Sequence, residues 1–340
     1  MITIEENVSL KPYNTFGLEA TARYFVEVTD LEALKSVLKN PFTGNKKKLF
    51  LGGGSNILLL NDYEGLVIKI ALKGKEIVAE TEDSAIVKAG AGEVWHELVL
   101  FCIDRNLGGI ENMSLIPGTV GAAPMQNIGA YGAEVKDTFY QLEALNLETL
   151  QVETFEGEQC AFGYRESFFK HEGKGKYVIL NVSFKLSRHP EINVSYGAIR
   201  QTLAEMGVDS PTIRDVSNAV IRIRRSKLPD PAEIGNSGSF FKNPEIPREE
   251  YLKVREKYPD MPGYEISEDR IKVPAGWLIE QAGWKGKRFG EVGVHDKQAL
   301  VLVNFGSGKG AEIAELATRI QASVSEKFGI SITPEVNFIS

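Results

Sequence analysis

Residues 112–137 read NMSLIPGTVGAAPMQNIGAYGAEVKD, and this glycine-rich stretch decides how the rest of the chain is interpreted. It holds four glycines, four alanines and two prolines, and Glu134 is its first charged residue. Solvated turns are typically rich in Asp, Asn and Ser. Small apolar residues indicate instead a segment that is buried or pressed against a flat surface.

Two interpretations of this stretch remain open. Glycine lets backbone N–H groups approach a ligand without a Cβ in the way, and successive amides form anion-binding concavities. The donors and acceptors of Gln126 and Asn127 could read the edge of a heterocycle. A large flat cofactor with a pyrophosphate would fit, and so would a tight buried turn between two core elements, since glycine-rich loops are common.

The bulk composition excludes several classes of protein. A chain of 340 residues suggests two or three domains, and 43% hydrophobic with 25% charged residues is ordinary for a globular protein. The formal charge of −7 argues against a nucleic-acid binder, whose surface is basic. The longest apolar run, residues 98–103, is too short to cross a bilayer, and four scattered histidines give no metal spacing. We therefore expect no nucleic acid, membrane or metal as a partner.

The first ten residues and the cysteines indicate a cytoplasmic protein. The sequence MITIEENVSL has neither the basic n-region nor the apolar h-region of a secretory signal. Cys102 and Cys160 are the only cysteines, which is too few for a disulfide framework.

Hydrophobic periodicity predicts several helices. Asp30 should cap a helix over the following residues. A helix with Val94 on its apolar face should end at Gly108. Ser210 and the proline after it should open another helix. A long amphipathic helix should end before Gly329.

Strands and a domain boundary are also predicted. Residues 177–186 alternate cleanly between apolar and other residues, which predicts a half-buried strand. The composition shifts at residues 226–231, SKLPDP, which is the best boundary between domains.

A second glycine cluster, GGGSN at residues 52–56, follows a predicted strand. Strand and glycines together invite a dinucleotide-binding interpretation, but the GxGxxG pattern needs glycine where Ile57 stands. A later turn at Gly90 fails in the same way, because Trp95 takes the place of the third glycine. The Rossmann fingerprint is rejected, and GGGSN remains a candidate phosphate-binding loop.

Arg165 lies in the run FGYRESFFK, residues 162–170. Its guanidinium could hold a carboxylate or a developing enolate by a forked contact. The alternative is a structural pair with Glu166.

Ser239 lies in the run GNSGSFFKNP, residues 235–244, beside two phenylalanines. A serine exposed on a glycine turn could be a proton donor or a nucleophile. The G-x-S-x-G elbow is missing, which disfavours a serine hydrolase. A hairpin turn that the serine caps is the alternative.

Three further residues are candidates by their chemistry. Glu335, in the closing run TPEVNF, is either edge-exposed or a carboxylate buried at a site. Tyr196 and Lys227 could hold a phosphate-bearing ligand through a hydroxyl and a compact cation, or be a surface aromatic and a solvated lysine.

Taken together, these motifs resemble the UDP-N-acetylenolpyruvoylglucosamine reductase family. The similarity spans nearly the whole chain, in order, and the length and the Tyr196 segment look like the longer, type I form. The motifs that carry it are GGGSN, IPGTVGAAPMQNIGAYG, FGYRESFFK, SYG, SKLPDP, GSFFKNP, PAGWLIEQAG and a closing PEV.

The resemblance implies an α+β fold with a two-subdomain FAD-binding unit of the vanillyl-alcohol-oxidase (PCMH) type, roughly residues 17–187. We expect FAD-binding subdomains at residues 1–70 and 71–226. Residues 227–340 would form a substrate-binding domain whose last strand returns to the active site. The protein is expected to be a monomer.

The resemblance also implies the site residues. Arg165, Ser239 and Glu335 would be catalytic. Tyr196, Lys227 and Asn243 would contact the diphosphate of the nucleotide sugar. FAD would be held noncovalently by Gly52, Gly53, Gly54, Ser55, Asn56, Pro117, Gly118, Thr119, Gly121, Ala122, Gln126, Asn127, Gly129, Ala130, Tyr131 and Arg224.

The implied reaction belongs to peptidoglycan precursor synthesis. NADPH would reduce FAD, and the reduced flavin would give hydride to the enolpyruvyl ether. Arg165 would stabilise the developing enolate, Ser239 would protonate the neighbouring carbon, and Glu335 would orient or polarise the substrate carboxylate. An oxidase of the same flavin fold and a noncatalytic flavin- or nucleotide-sugar-binding module are the rival hypotheses.

Overall fold

The computed structural model describes residues 3–340, which form two compact units. The first unit comprises the described part of Met1–Val8 together with Ala22–Gly54 and Glu64–Ser226. The second unit comprises Ser9–Thr21, Ser55–Tyr63 and Lys227–Ser340. Each unit is therefore assembled from three separate stretches of chain.

Runs of strands alternate with one or two α-helices along the chain. The helices are α1 (Leu31–Lys39), α2 (Pro41–Gly44), α3 (Trp95–Ile103), α4 (Gly197–Glu205), α5 (Ile213–Lys227), α6 (Arg248–Lys257), α7 (Ala275–Gln281) and α8 (Gly310–Phe328). The strands are β1 (Glu5–Ser9), β2 (Thr21–Val28), β3 (Lys48–Leu51), β4 (Ile57–Leu59), β5 (Tyr63–Ile70), β6 (Lys75–Glu80), β7 (Ser84–Gly90), β8 (Gly129–Ala130), β9 (Ala133–Glu134), β10 (Phe139–Asn146), β11 (Val152–Glu156), β12 (Tyr177–Ser187), β13 (Gly235–Asn236), β14 (Glu245–Pro247), β15 (Tyr264–Ser267), β16 (Arg270–Lys272), β17 (Arg288–Phe289), β18 (Val292–Val294), β19 (Leu302–Asn304) and β20 (Asn337–Ile339).

Two sheets carry the first unit. One has the strand order β1-β2-β5-β3, with β3 and β5 parallel, and the other is the antiparallel sheet β11-β10-β12-β7-β6. The middle strand β12 is the predicted strand at residues 177–186. The half-buried prediction was wrong, because Ile179 and Ser183 on its second face are buried as well as Val182 on the first. On that second face Asn181 is partly buried and Lys185 is exposed, so the face is covered in part. Alternation along one strand does not report what packs on its second face.

Helix α3 fills the core of the first unit. Trp95 is fully buried, and its ring meets that of Phe184 edge-on with centroids 5.6 Å apart. Its indole N–H donates to the carbonyl of Met113 at 2.9 Å, which ties the start of the glycine-rich stretch to the core. The predicted bounds of this helix were wrong, since Val94 is exposed at the N-cap and the helix ends at Ile103.

Helix starts follow local capping chemistry. The prediction that Asp30 caps α1 is confirmed, because its carboxylate accepts the N–H of Ala33 at 2.7 Å. The predicted start at Ser210 was wrong, since α5 begins at Ile213. There the Thr212 backbone N–H donates to the Asp215 carboxylate at 2.9 Å, and the Asp215 N–H donates to the Thr212 hydroxyl at 3.3 Å. This reciprocal pair of hydrogen bonds is a capping box, and it sets the start of α5 after Thr212 and not after Ser210.

The second unit contains a four-stranded sheet of order β13-β19-β18-β17, a three-stranded sheet β14-β16-β15 and the parallel pair β20-β4. Helix α8 buries Leu316 and Ile320 and ends at Phe328, before Gly329 with φ 71°, which confirms the predicted end of the helix. The buried side chain of Asn304 makes hydrogen bonds with three backbone groups. It donates to the Phe16 carbonyl at 2.9 Å and accepts the Gly306 and Gly308 N–H groups.

No helix within residues 3–340 is long and apolar enough to cross a membrane. The same part of the chain holds no cluster of three or more His, Cys, Asp or Glu side chains suited to a metal ion.

Candidate active site

The two glycine clusters of the first unit meet through bare backbone. A Cβ on Gly53 would lie 2.8 Å from the Cα of Gly118, and one on Gly52 would lie 2.6 Å from the Thr119 hydroxyl oxygen. Gly118 itself has φ 113°, a conformation that L side chains rarely adopt. The two loops therefore pack backbone against backbone, which a side chain at Gly52 or Gly53 would prevent. We call this pair of loops the cradle.

Two buried polar atoms near this cradle lack a hydrogen-bond partner among the described residues. They are the hydroxyl oxygen of Thr119 and the Nε of Arg224. Buried polar groups are almost always paired, so a ligand or a bound water would complete these two atoms. Burial lowers the pKa of Arg224, although the guanidinium stays charged, and its side chain also bonds the hydroxyl of Tyr131. A buried cation beside a backbone cradle suits an anionic ligand.

The side chain of Asn127 is engaged inside the protein. Its Nδ2 donates to the Glu134 carboxylate at 2.9 Å and to the Gly163 carbonyl at 3.0 Å, while its Oδ1 accepts the Lys136 N–H at 3.0 Å. The interpretation that this amide reads a heterocycle edge was therefore wrong. Asn127 instead holds the loop in shape, and its φ of 45° is a conformation that asparagine tolerates better than most residues.

Arg165 lies against the glycine-rich stretch. Its Nη2 donates to the carbonyl of Gly129 at 2.8 Å, and the hydroxyl of Ser167 donates to the carbonyl of Met125 at 2.6 Å. Lys170 in turn donates to the carbonyl of Arg165 at 2.9 Å, and Arg165 has φ 57°. Non-glycine residues with positive φ persist only where the surrounding structure imposes them, and they concentrate at functional sites.

Tyr196 is half exposed at the N-cap of α4. Its ring meets that of Tyr131 edge-on, with centroids 5.2 Å apart and an interplanar angle of 87°. The first unit therefore brings Tyr196 to the same loop as Arg165 and Arg224.

In the second unit, the segments of Ser239 and Glu335 meet at an isolated antiparallel bridge. The Glu335 N–H donates to the Phe240 carbonyl at 2.8 Å, next to a bridge between Phe241 and Pro334. Ser239 is exposed and lies one residue before this pairing, and Glu335 is partly buried. The backbones of the two predicted catalytic residues are therefore neighbours.

Asn56 makes hydrogen bonds with the segment that contains Glu335. Its Nδ2 donates to the Glu335 carbonyl at 3.2 Å, and its own carbonyl accepts the Asn337 N–H at 3.0 Å. Asn56, which belongs to the second unit, thus lies beside the closing strand of that unit.

The two remaining substrate candidates lie apart from one another in sequence and differ in environment. Lys227 is exposed at the end of α5. Asn243 is partly buried, and its Oδ1 accepts the Ala275 N–H at 2.9 Å at the start of α7. A contact from Asn243 to a substrate would therefore use its Nδ2.

Sequence reasoning missed three side chains that hold the cradle. Lys69 donates to the Gly52 carbonyl, and burial lowers its pKa. His96 Nδ1 accepts the Leu115 N–H at 3.0 Å, where Leu115 has φ 59°. Asn112 bonds the carbonyl of Tyr131 at 2.9 Å. None belongs to a motif, although an asparagine at the head of the glycine-rich stretch was a signal that could have been used.

Two family models match the chain. Residues 22–153 match the model of the FAD binding domain, and residues 230–339 match the C-terminal domain of UDP-N-acetylenolpyruvoylglucosamine reductase. The chain is 56% identical over 337 residues to the UDP-N-acetylenolpyruvoylglucosamine reductase of Flavobacterium johnsoniae, covering 99% of both chains. The chain belongs to the UDP-N-acetylenolpyruvoylglucosamine reductase family.

Other members of the family are similarly close. The reductase of Pseudomonas aeruginosa is 48% identical, again over 99% of both chains. The crystal structure of the Thermus caldophilus reductase shares the fold, with a TM-score of 0.71 at 23% identity over the full length of both chains. The predictions of this reductase family, of a mixed α and β FAD-binding fold and of an FAD-dependent oxidoreductase are confirmed.

Proposed function

We propose that this reductase converts the enolpyruvyl ether of UDP-N-acetylglucosamine enolpyruvate to UDP-N-acetylmuramate, a step of peptidoglycan precursor synthesis. NADPH is the reductant and FAD the cofactor. The observation that carries the activity is the 56% identity to a curated reductase along 99% of the chain. The residue roles below are our proposals.

The cradle of the first unit suits noncovalent FAD. Gly52–Gly54 and the loop from Pro117 to Tyr131 would hold the pyrophosphate and the ring system through backbone N–H groups. The Thr119 hydroxyl oxygen and the Nε of Arg224, two buried atoms without a hydrogen-bond partner among the described residues, would complete the contacts. When bound, FAD carries hydride from NADPH to the substrate's double bond.

Arg165 would stabilise the negative charge that develops on the enolpyruvyl carboxylate. The contact to the Gly129 carbonyl fixes one edge of its guanidinium and orients the rest. A planar cation held in place before the reaction needs no reorganisation when charge develops.

Ser239 would donate the proton to the carbon next to the carboxylate. A neutral hydroxyl is a weak acid, but an enolate is a strong enough base to take its proton. Its exposure in the second unit leaves the hydroxyl accessible to substrate.

Glu335 would orient or polarise the substrate carboxylate, by sharing a proton or through a water. The backbone pairing to Phe240 and the contact from Asn56 hold the Glu335 main chain in place. Tyr196, Lys227 and the Nδ2 of Asn243 would contact the diphosphate, because a hydroxyl, an ammonium and an amide can all donate to phosphate oxygens.

Several finer features are also proposed. The length of the chain and the Tyr196 segment favour the type I form of the family, and we expect a monomer. We place the protein in the cytoplasm, where the buried free thiols of Cys102 and Cys160 would stay reduced. The proposed organisation is two FAD-binding subdomains, residues 1–70 and 71–226, and a substrate-binding domain, residues 227–340.

An anaerobic titration tests the proposed activity. NADPH should bleach the flavin absorbance of the purified protein, and the enolpyruvyl substrate should restore it. Fast reoxidation by air without that substrate would favour an oxidase, and a colourless folded protein that NADPH leaves unchanged would favour a binding module.

The Ser239→Ala variant tests the acid role. Flavin reduction by NADPH should be unchanged, while reoxidation by the enolpyruvyl substrate should slow by about 100-fold or more, the range of a lost general acid. Equal losses in both half-reactions would refute the role.

A further inference from the structure

Asn112 connects two segments of the first unit that are distant in sequence. Its side chain is 1% exposed. Its Nδ2 donates to the carbonyl of Tyr131 at 2.9 Å and to the carbonyl of Asn193 at 3.0 Å. Both amide hydrogens are thus used, one on the glycine-rich stretch and one on the segment that leads to Tyr196.

Further contacts join the same two segments, the glycine-rich stretch and the segment that leads to Tyr196. The Nδ2 of Asn193 donates to the Gly132 carbonyl at 3.3 Å. Its Oδ1 accepts the backbone N–H of Ser195 at 3.1 Å and the hydroxyl of Ser195 at 2.7 Å. The next residue, Tyr196, then lays its ring edge-on against Tyr131. Asn193 and Tyr196 therefore contact the loop directly, and Ser195 is held to it through Asn193.

We propose that Asn112 is a positioning residue that couples the cofactor loop to the substrate-binding tyrosine, Tyr196. This inference rests on the proposed function. Asn112 touches neither ligand and acts by setting the distance between the Tyr131 and Asn193 carbonyls. An amide supplies the two donors that two carbonyls require, whereas a carboxylate of the same shape supplies only acceptors.

The coupling has a thermodynamic consequence. FAD on the glycine-rich stretch restricts Tyr131, and through Asn112 and the ring contact it also restricts Tyr196. Binding of the nucleotide sugar must then strengthen FAD binding by the same factor by which FAD strengthens binding of the sugar.

A double-mutant cycle on the holoenzyme tests this. Asn112→Asp should raise the KM for the enolpyruvyl substrate by about 5- to 10-fold, within the range of coupling between residues in one network. The rate constant for flavin reduction by NADPH should stay unchanged. In a Tyr196→Ala background, the same substitution should no longer raise KM. Equal effects of Asn112→Asp in the two backgrounds would overturn the inference.

A matched control and a second variant separate a loss of coupling from a loss of the fold. Asn146 is also hydrogen-bonded in the first unit, to Glu153 at 2.7 Å, so Asn146→Asp should leave KM unchanged. If Asn112→Asp fails to fold, Asn193→Ala keeps the backbone carbonyl that Asn112 uses. It should raise KM in the wild-type background but not in the Tyr196→Ala background, and an unchanged KM would contradict the coupling.

Failure of the inference can be told apart from failure of the proposed function. A wild-type protein whose NADPH-reduced flavin is not reoxidised by the enolpyruvyl substrate would refute the function. An active wild-type protein with additive effects in the cycle would refute only the role of Asn112.

Discussion

The substitution Gly53→Ala would place one methyl group in the contact between the two glycine loops. Its Cβ would lie 2.8 Å from the Cα of Gly118 and 3.2 Å from the Gly118 carbonyl carbon. Carbon atoms prefer separations of about 3.5–4.0 Å, so the loops would have to move apart by roughly 1 Å. Both partners are backbone atoms, and no flexible side chain can yield instead.

The size of the effect follows from the cost of overpacking. Extra methylenes in a well-packed site typically cost about 1–3 kcal/mol. If this cost falls on the FAD-bound state, the affinity for FAD drops by about 5- to 140-fold, because about 1.4 kcal/mol corresponds to a tenfold change. Displaced backbone N–H groups would add to the loss.

Release of FAD from the purified holoenzyme, followed by flavin fluorescence on dilution, measures this affinity. Gly44→Ala is the matched control in the same unit, because a Cβ on Gly44 would meet nothing within 4 Å. We expect Gly53→Ala to release FAD at much higher protein concentration than the control, with similar melting temperatures of the two apoproteins. Wild-type affinity for FAD in Gly53→Ala would refute the cradle.

Three further predictions concern other parts of the molecule. Arg165→Ala should leave flavin reduction by NADPH intact and slow reoxidation by the enolpyruvyl substrate, measured by stopped-flow absorbance; loss of FAD itself would instead show that Arg165 is structural. Burial, and then nearby arginines, lower the pKa of His96 below its ordinary value of 6.5, so the unfolded chain binds the proton more readily. The melting temperature should therefore fall as the pH drops below about 6.5. The variant His96→Asn, which can still accept the Leu115 N–H, should make the melting temperature depend less on pH. An unchanged pH dependence in this variant would contradict the role of His96. In denaturant titrations, Asn304→Ala should lower the free energy of unfolding by about 1–3 kcal/mol or more, because it leaves buried backbone groups without their hydrogen-bond partner. Wild-type stability would count against that role.

Much of the candidate site could be read from the chain. The glycine clusters, Arg165, Ser239 and Glu335 were all singled out from residue type and spacing before any coordinates. Glycine signals a close backbone approach directly, because the absence of a Cβ is itself a property of the sequence. Their roles in the reaction remain proposals.

Asn127 and Asn112 show where such reasoning ends. The two asparagines look alike in the sequence, and only Asn127 was expected to read a ligand. In the structure the side-chain amide of Asn127 makes hydrogen bonds with Glu134, Gly163 and the Lys136 N–H. Asn112 bonds Asn193, which lies 81 residues away. No local pattern distinguishes the two cases.

By itself, the sequence determined the family of the protein, the chemistry available to it and those helix ends that are set by adjacent residues, such as Asp30 before α1 and Gly329 after α8. The tertiary structure alone decided that both faces of β12 carry buried residues, that Thr212 caps α5 and that the two glycine clusters touch. Capping and periodicity are local, because they involve residues within one turn or one strand. Hydrogen-bond partners and loop contacts join distant segments, so they exist only once the chain has folded.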